Sequence, residues 1–254
     1  MWCAWLQFAD DGSYSFELVR GRGAPDEEKV NALAKLLFEG LLEVGYVIHL
    51  AEKYDDEWLR EYVETRGFVG KLHKRIGDFG EVLAGAAICD NEGLTEPLPK
   101  LRYRVRTDLP MHLTDTFSVK VEEGEITVFC YTSVKSGVTR PPASVAVAGY
   151  KQLLDDAALE HPEILYLISE NLYRQGRWDD LDRLERAMTA TAPTPKAYRL
   201  ASLFERDEWR EDMLSELEDF DRTLDDFVCY VVLLENMRQT VEASYRLATE
   251  MCFK

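Results

Sequence analysis

The chain has 254 residues, 46% hydrophobic and 30% charged, an ordinary globular composition long enough to bury a core without covalent staples. Asp and Glu total 47 against 30 Lys and Arg, a net charge of −17 that repels polyanions at long range and excludes a free-standing basic nucleic-acid binder. Five scattered cysteines with no CxxC pair support neither a zinc site nor a disulfide framework. They read as reduced thiols in a cytoplasm; no secretory leader is expected, and no apolar run nears the roughly 20 residues of a membrane span.

Residues 1–20 predict two short strands around the turn Asp10-Asp11-Gly12, and 21–25 a loop. Asp26 is placed to cap a helix running to about Glu43, because Val30, Leu33, Leu36, Leu37, Leu41 and Leu42 follow helical spacing. GYVIHL at 45–50 has strand composition, and a polar helix is predicted over 55–65. A helix from about Phe68 to Ile88 begins basic, with Lys71, His73, Lys74 and Arg75. It ends small and apolar, with Gly80, Ala84, Gly85, Ala86 and Ala87, residues that let a helix lie close to a sheet.

A loop at 90–99 precedes three predicted strands: 101–107, 115–122 and 125–134, the last two joined by a turn at Glu123-Gly124. After a loop at 135–142, a helix is predicted over about 143–158. Residues 162–220 read as wholly helical segments, acidic from Glu205 to Asp226. FVCYVVLL at 227–234 reads as a central strand buried on both faces, and 237–252 as a closing helix. Together these give an α/β (α+β) fold with a mixed central sheet flanked by helices. The expected organisation is a single domain over 1–254: N-terminal strands and helices at 1–66, a core at 67–160 and 225–254, and a helical insertion at 161–224.

Three residues stand out along this order. Glu81 lies on the helix before the sheet, Asp115 opens the strand TFSV, and Lys135 ends the strand in TSVKSG. Taken singly they read as a surface helix acid, a turn cap and a strand-end lysine. Taken together they suit phosphodiester chemistry. Positions 133 and 135 share a strand face, and an acid opening the neighbouring strand can sit opposite them. Carboxylates hold a hard Mg²⁺ ion, while a lysine neutralises a phosphate oxygen and positions water. Lys71, Lys74, Arg75, Arg104, Arg106 and Arg140 bracket these positions and form the candidate DNA-facing patch. The four histidines show no metal-ligand spacing. No phosphate-binding glycine motif or nucleophile elbow occurs. Trp58, Trp178 and Trp209 read as helix-packing residues.

Helix with Glu81 in GEVL, strand with Asp115 in LTDTFSV, strand with Lys135 in SVKSG, then a helix: this order resembles the PD-(D/E)xK restriction-endonuclease-like superfamily. Within it, the pattern is most similar to the HamA nucleases of Hachiman anti-phage defence systems, including the helical stretch and the late apolar strand with its closing helix. The resemblance implies a nuclease core with catalytic Glu81, Asp115, the position of Ser133 and Lys135. It implies Mg²⁺, with Mn²⁺ as the alternative, held by Glu81 and Asp115. The implied partners are DNA and a HamB-like helicase subunit, with no membrane. One position departs from the pattern: Ser133 stands where an acid two residues before the lysine is expected. The rival expectation is therefore a weakened or dead nuclease fold acting as a protein-interaction module. A third is a helical scaffold in which the strand assignments at 101–134 are wrong.

Overall fold

The computed structural model describes residues 5–66, 68, 70–96, 100–103, 114–159 and 163–253. Its centre is one six-stranded sheet in the order β1-β2-β6-β5-β4-β3. The strands are β1 (Ala9–Asp11), β2 (Glu17–Gly23), β3 (Thr116–Glu122), β4 (Glu125–Gly137), β5 (Lys196–Glu205) and β6 (Phe227–Leu234). β2, β6, β5 and β4 run parallel, and β1 and β3 close the two edges as antiparallel strands. The helices are α1 (Glu27–Leu41), α2 (Val44–Ala51), α3 (Asp56–Arg66), α4 (Leu72–Glu92), α5 (Val145–Ala157), α6 (Glu163–Arg174), α7 (Trp178–Met188), α8 (Asp212–Glu218) and α9 (Met237–Met251). The fold is α/β, as the periodicity predicts.

Alternation along the strands divides the core into two layers. Phe117, Phe129, Tyr131, Leu200 and Val231 point to one face and pack with Tyr150, Leu153, Leu165 and Leu184 of α5, α6 and α7. On the other face Leu203, Val232 and Leu234 pack with Leu37 of α1, Leu83 of α4 and Val241 of α9. Val47, Leu50, Leu59 and Val63 of α2 and α3 extend that second layer.

Local chemistry explains most boundaries. The Asp26 side chain accepts the Lys29 backbone N–H at 3.0 Å and caps α1. Gly93, with φ +67°, takes the left-handed conformation that ends α4. Glu123 and Gly124 both have positive φ, 52° and 87°, as a tight turn between β3 and β4 requires. Gly80 and Gly85 let α4 lie against the sheet: a Cβ on Gly80 would fall 2.6 Å from Ser136, and one on Gly85 3.3 Å from Thr116.

Four expectations are corrected. GYVIHL is helical, within α2, where Val47 and Leu50 recur at helical spacing and are buried. Residues 100–103 form a 3₁₀ turn, so a strand over 101–107 does not begin there; positions 104–107 lie outside the described residues. β4 runs on to Gly137, three residues beyond the expected end. The stretch 161–224 is not a purely helical insertion, because KAYRLASLFE forms β5, between β4 and β6 in the middle of the sheet. β5 carries buried Arg199, which holds Glu92 at the end of α4 against the sheet. Among the described residues, no helix is long and apolar enough to cross a membrane.

Candidate active site

β3 begins at Thr116, opposite Thr132 of β4, so residues 133–137 of β4 extend beyond the registered end of their antiparallel neighbour. The Val134 N–H there would lack a ladder acceptor. The Asp115 carboxylate takes that role, accepting the Val134 N–H through Oδ2 at 2.7 Å. This bond satisfies a strand-end donor and fixes Asp115 beside β4. Alternation then aims Ser133 and Lys135 to the same side as Tyr131, toward α5.

On that side Gln152 of α5 gathers the group. Its Oε1 accepts from Lys135 Nζ at 2.8 Å and from Ser133 Oγ at 3.1 Å. Lysine only donates, so the atom facing it is the amide oxygen. Ser133 is fully buried, and its 3.5 Å approach to Asp115 Oδ2 is too long to compete with Gln152 for the single hydroxyl proton. Lys135 is half-buried, and α5 comes close to it because residue 149 is glycine. A Cβ there would lie 2.4 Å from Leu200 Cδ1 and 3.3 Å from Lys135 Cε. Ser133, Lys135 and Gln152 thus form one hydrogen-bonded group at the carboxyl end of β4, and Asp115 is tied to the backbone of the intervening Val134. Gln152 is absent from the residues singled out in the sequence. Its only signal is its place three residues after Gly149, beside the buried stripe Ala146, Gly149, Tyr150 and Leu153 of α5.

Glu81 arrives differently. α4 packs on the opposite face of the sheet, against Val134 and Ser136 through Gly80. Glu81 and Asp115 nevertheless line the same cleft of 210 Å³, with Thr116, Glu39, Glu96 and Arg102 around it. Arg102 is held there by the Glu39 carbonyl, to which its Nε donates at 2.6 Å. Glu81 and Asp115 are oxygen donors of the type Mg²⁺ takes, since that ion commonly binds one or two protein carboxylates and completes its shell with water and phosphate oxygens. Among the described residues no three His, Cys, Asp or Glu side chains converge as a metal-holding group.

The basic residues divide. Ser136 Oγ donates to the Ile76 carbonyl at 3.1 Å, which sets the amino end of α4 beside the carboxyl end of β4. Exposed Lys71 and half-buried Lys74 therefore lie at the same end of the sheet as Lys135 and exposed Arg140. Arg75 is committed inward: Nη2 donates to the Phe68 carbonyl at 3.2 Å and the guanidinium lies 5.2 Å from the centre of the Tyr245 ring. Arg104 and Arg106 lie outside the described residues. Compared with models of known families and with curated proteins, the chain matches none.

Proposed function

We propose that the chain is a Mg²⁺-dependent DNA nuclease, the effector of a cytoplasmic anti-phage defence complex that works with a helicase subunit. The observation that supports this reading is the pairing of Ser133 and Lys135 on one face at the end of β4 by Gln152, with the Asp115 carboxylate held on the Val134 N–H between them. Glu81 and Asp115 would hold the metal, whose charge would acidify a bound water and offset charge developing on the phosphate. Asp115 has a second carboxylate oxygen, Oδ1, beyond the one that Val134 uses. Lys135 has three N–H donors; with one on Gln152, two remain to neutralise a phosphate oxygen and to orient water. Gln152 fixes the lysine head and so lowers the ordering required when substrate binds. Lys71, Lys74 and Arg140 supply phosphate contacts at the same end of an otherwise acidic protein, and the helicase delivers the DNA.

A second reading has its own observation. Ser133 is buried and donates to Gln152, in the position where the resemblance expects a metal-binding acid, while Glu81 stands on the helix of the opposite face. This favours a nuclease-fold subunit that serves as a protein-interaction module. Cleavage of supercoiled plasmid with Mg²⁺ and the cognate helicase separates the two. In the nuclease reading, Lys135→Ala and Asp115→Ala each reduce cleavage by about 10²–10³, and Ser133→Asp raises it and tightens Mg²⁺ binding. An inert parent and an inert Ser133→Asp would establish the second reading. If both alanine variants cleave like the parent, the activity lies outside this cluster.

A further inference from the structure

A run of aromatic rings lies open on α2 and α3, where the sequence pattern suggests Trp58 as a packing residue. Tyr54 and Trp58 stack with centroids 4.1 Å apart at 18°, and Trp58 and Tyr62 follow at 5.8 Å and 6°. Tyr46 meets Tyr62 edge-on at 5.9 Å. Residues 54, 58 and 62 recur every four positions, so they form one stripe along α3 and the turn before it. Tyr46, Tyr54 and Trp58 are 49%, 47% and 39% exposed. Leu59 and Val63, on the adjacent face of α3, already anchor the helix in the core. Single exposed apolar side chains are ordinary, but a contiguous set of exposed rings marks an interaction surface.

The charge around the rings selects the partner. Residues 52–64 carry six carboxylates against two cations, Lys53 and Arg60. Arg60 is turned away onto the Phe253 ring, 4.8 Å from its centroid. Glu57 and Glu61, the neighbours of Trp58 and Tyr62, are exposed. Aromatic faces carry negative potential and attract cations, guanidinium above all. Nucleic acid also stacks on aromatic rings, but it relies on a positive groove for its phosphates, and here the surrounding charge is negative. An adjoining groove of 340 Å³, floored by Ile48, Leu59 and Phe253 and edged by Glu52 and Asp56, offers room for one apolar side chain.

We propose that this aromatic ladder docks an arginine-rich segment of a partner protein, with a guanidinium on the face of Tyr54 that Trp58 does not cover, Glu57 and Glu61 meeting the remaining charge, and an apolar side chain in the groove. Nothing in it depends on the chemistry at Lys135. The test is isothermal titration of the whole protein at about 150 mM salt, with an arginine-rich peptide of about 15 residues and, separately, a thymidine oligonucleotide. Trp58→Ala and Tyr54→Ala are each expected to weaken peptide binding about tenfold, while Trp58→Phe keeps most of it. A charge-reduced control on α7, Asp179→Asn with Asp182→Asn, is expected to bind like the parent. If that control weakens binding as much as Trp58→Ala does, only diffuse attraction to an acidic protein is at work and the docking surface is refuted. Ladder-dependent binding of the oligonucleotide would also overturn the proposal, because the occupant would then be nucleic acid.

Discussion

Replacing Glu92 with glutamine tests what holds α4 to the sheet. The Arg199 side chain is 7% exposed, and its Nε and Nη2 donate to both carboxylate oxygens of Glu92 at 2.6 and 2.8 Å. Nη1 donates to the carbonyls of Tyr198 and Asp226 at 3.0 and 2.6 Å, and the Tyr230 hydroxyl donates to Glu92 Oε1 at 2.6 Å. An acid in the last turn of a helix opposes the helix dipole, so Glu92 owes its place to Arg199. Glu92→Gln keeps the volume and removes the charge. The guanidinium is then left with one carboxylate, Asp226 Oδ1 at 3.2 Å, on a side chain 54% exposed. Stripping a buried charge of its partner costs about 3–5 kcal/mol. The two remaining carbonyls and Asp226 put the expected loss at the lower end, about 3 kcal/mol. In a chain of this size that lowers Tm by about 6–12 °C. Adding Arg199→Met removes the orphaned charge, so the double variant should lose about 2 kcal/mol less than the two single losses added together. Urea unfolding followed by circular dichroism measures all three. A loss below about 1 kcal/mol for Glu92→Gln, with an additive double variant, would refute the assignment of this pair as the clasp.

Gly149→Ala would push a methyl group onto Leu200 and Lys135. About 1–3 kcal/mol of overpacking outweighs the better helix propensity of alanine, so Tm and plasmid cleavage are expected to fall together; an unchanged Tm would disprove the close approach. The Arg20 guanidinium, donating to both oxygens of Glu211 at 2.8 Å, holds that carboxyl below its ordinary range. The stabilisation is therefore complete above the ordinary carboxylate pKa and is lost as pH falls through the lowered one. The Glu211 side chain is 55% exposed, so Glu211→Gln should cost about 0.5–1 kcal/mol at pH 7 and nothing in strong acid; a penalty that persists below pH 3 would contradict this. Burial pushes the Cys89, Cys229 and Cys252 thiols up to about 12 and Cys130 to about 11. A thiol reagent at pH 8 should label none of the four in the native protein and all of them in urea; rapid native labelling at any of the four would show that the site opens.

The strands legible in the sequence are those whose composition agrees with their surroundings. TFSVKVE, EITVFC and FVCYVVLL are rich in β-branched and aromatic residues, and each lies in the sheet. KAYRLASLFE is the counter-example: its Ala and Leu favour helix, it follows a helical stretch, and its arginine argues against a buried strand. β4 and β6 on either side, together with Glu92 ready to receive Arg199, override that local preference. All of these partners are distant in sequence. GYVIHL fails in the opposite sense, since its valine and isoleucine suggest a strand while burial of Val47 and Leu50 at helical spacing favours a helix. In the site, the common face of Ser133 and Lys135 follows from the two-residue period of a strand and needs no structure. The part played by Gln152 could not be read in that way, because it depends on how α5 is rotated over the sheet. The same holds for Glu81, whose helix lies on the far face.

The position of β6 bears on how the chain assembles as it is synthesised. β2, near the start, pairs residue by residue with 228–234, and β5 has no neighbours other than β4 and β6. Until β6 emerges, β1-β2 and β3-β4-β5 are two unconnected pieces, each with an open edge. At ribosomal rates of about 5–20 residues per second, the β2 edge waits on the order of ten seconds or longer for its partner. Its exposed backbone is a template for wrong pairing throughout that interval. A chain stopped before residue 227 would not be a smaller version of this fold but two sheet fragments, and rapid chaperone capture of such truncations is the behaviour that topology dictates.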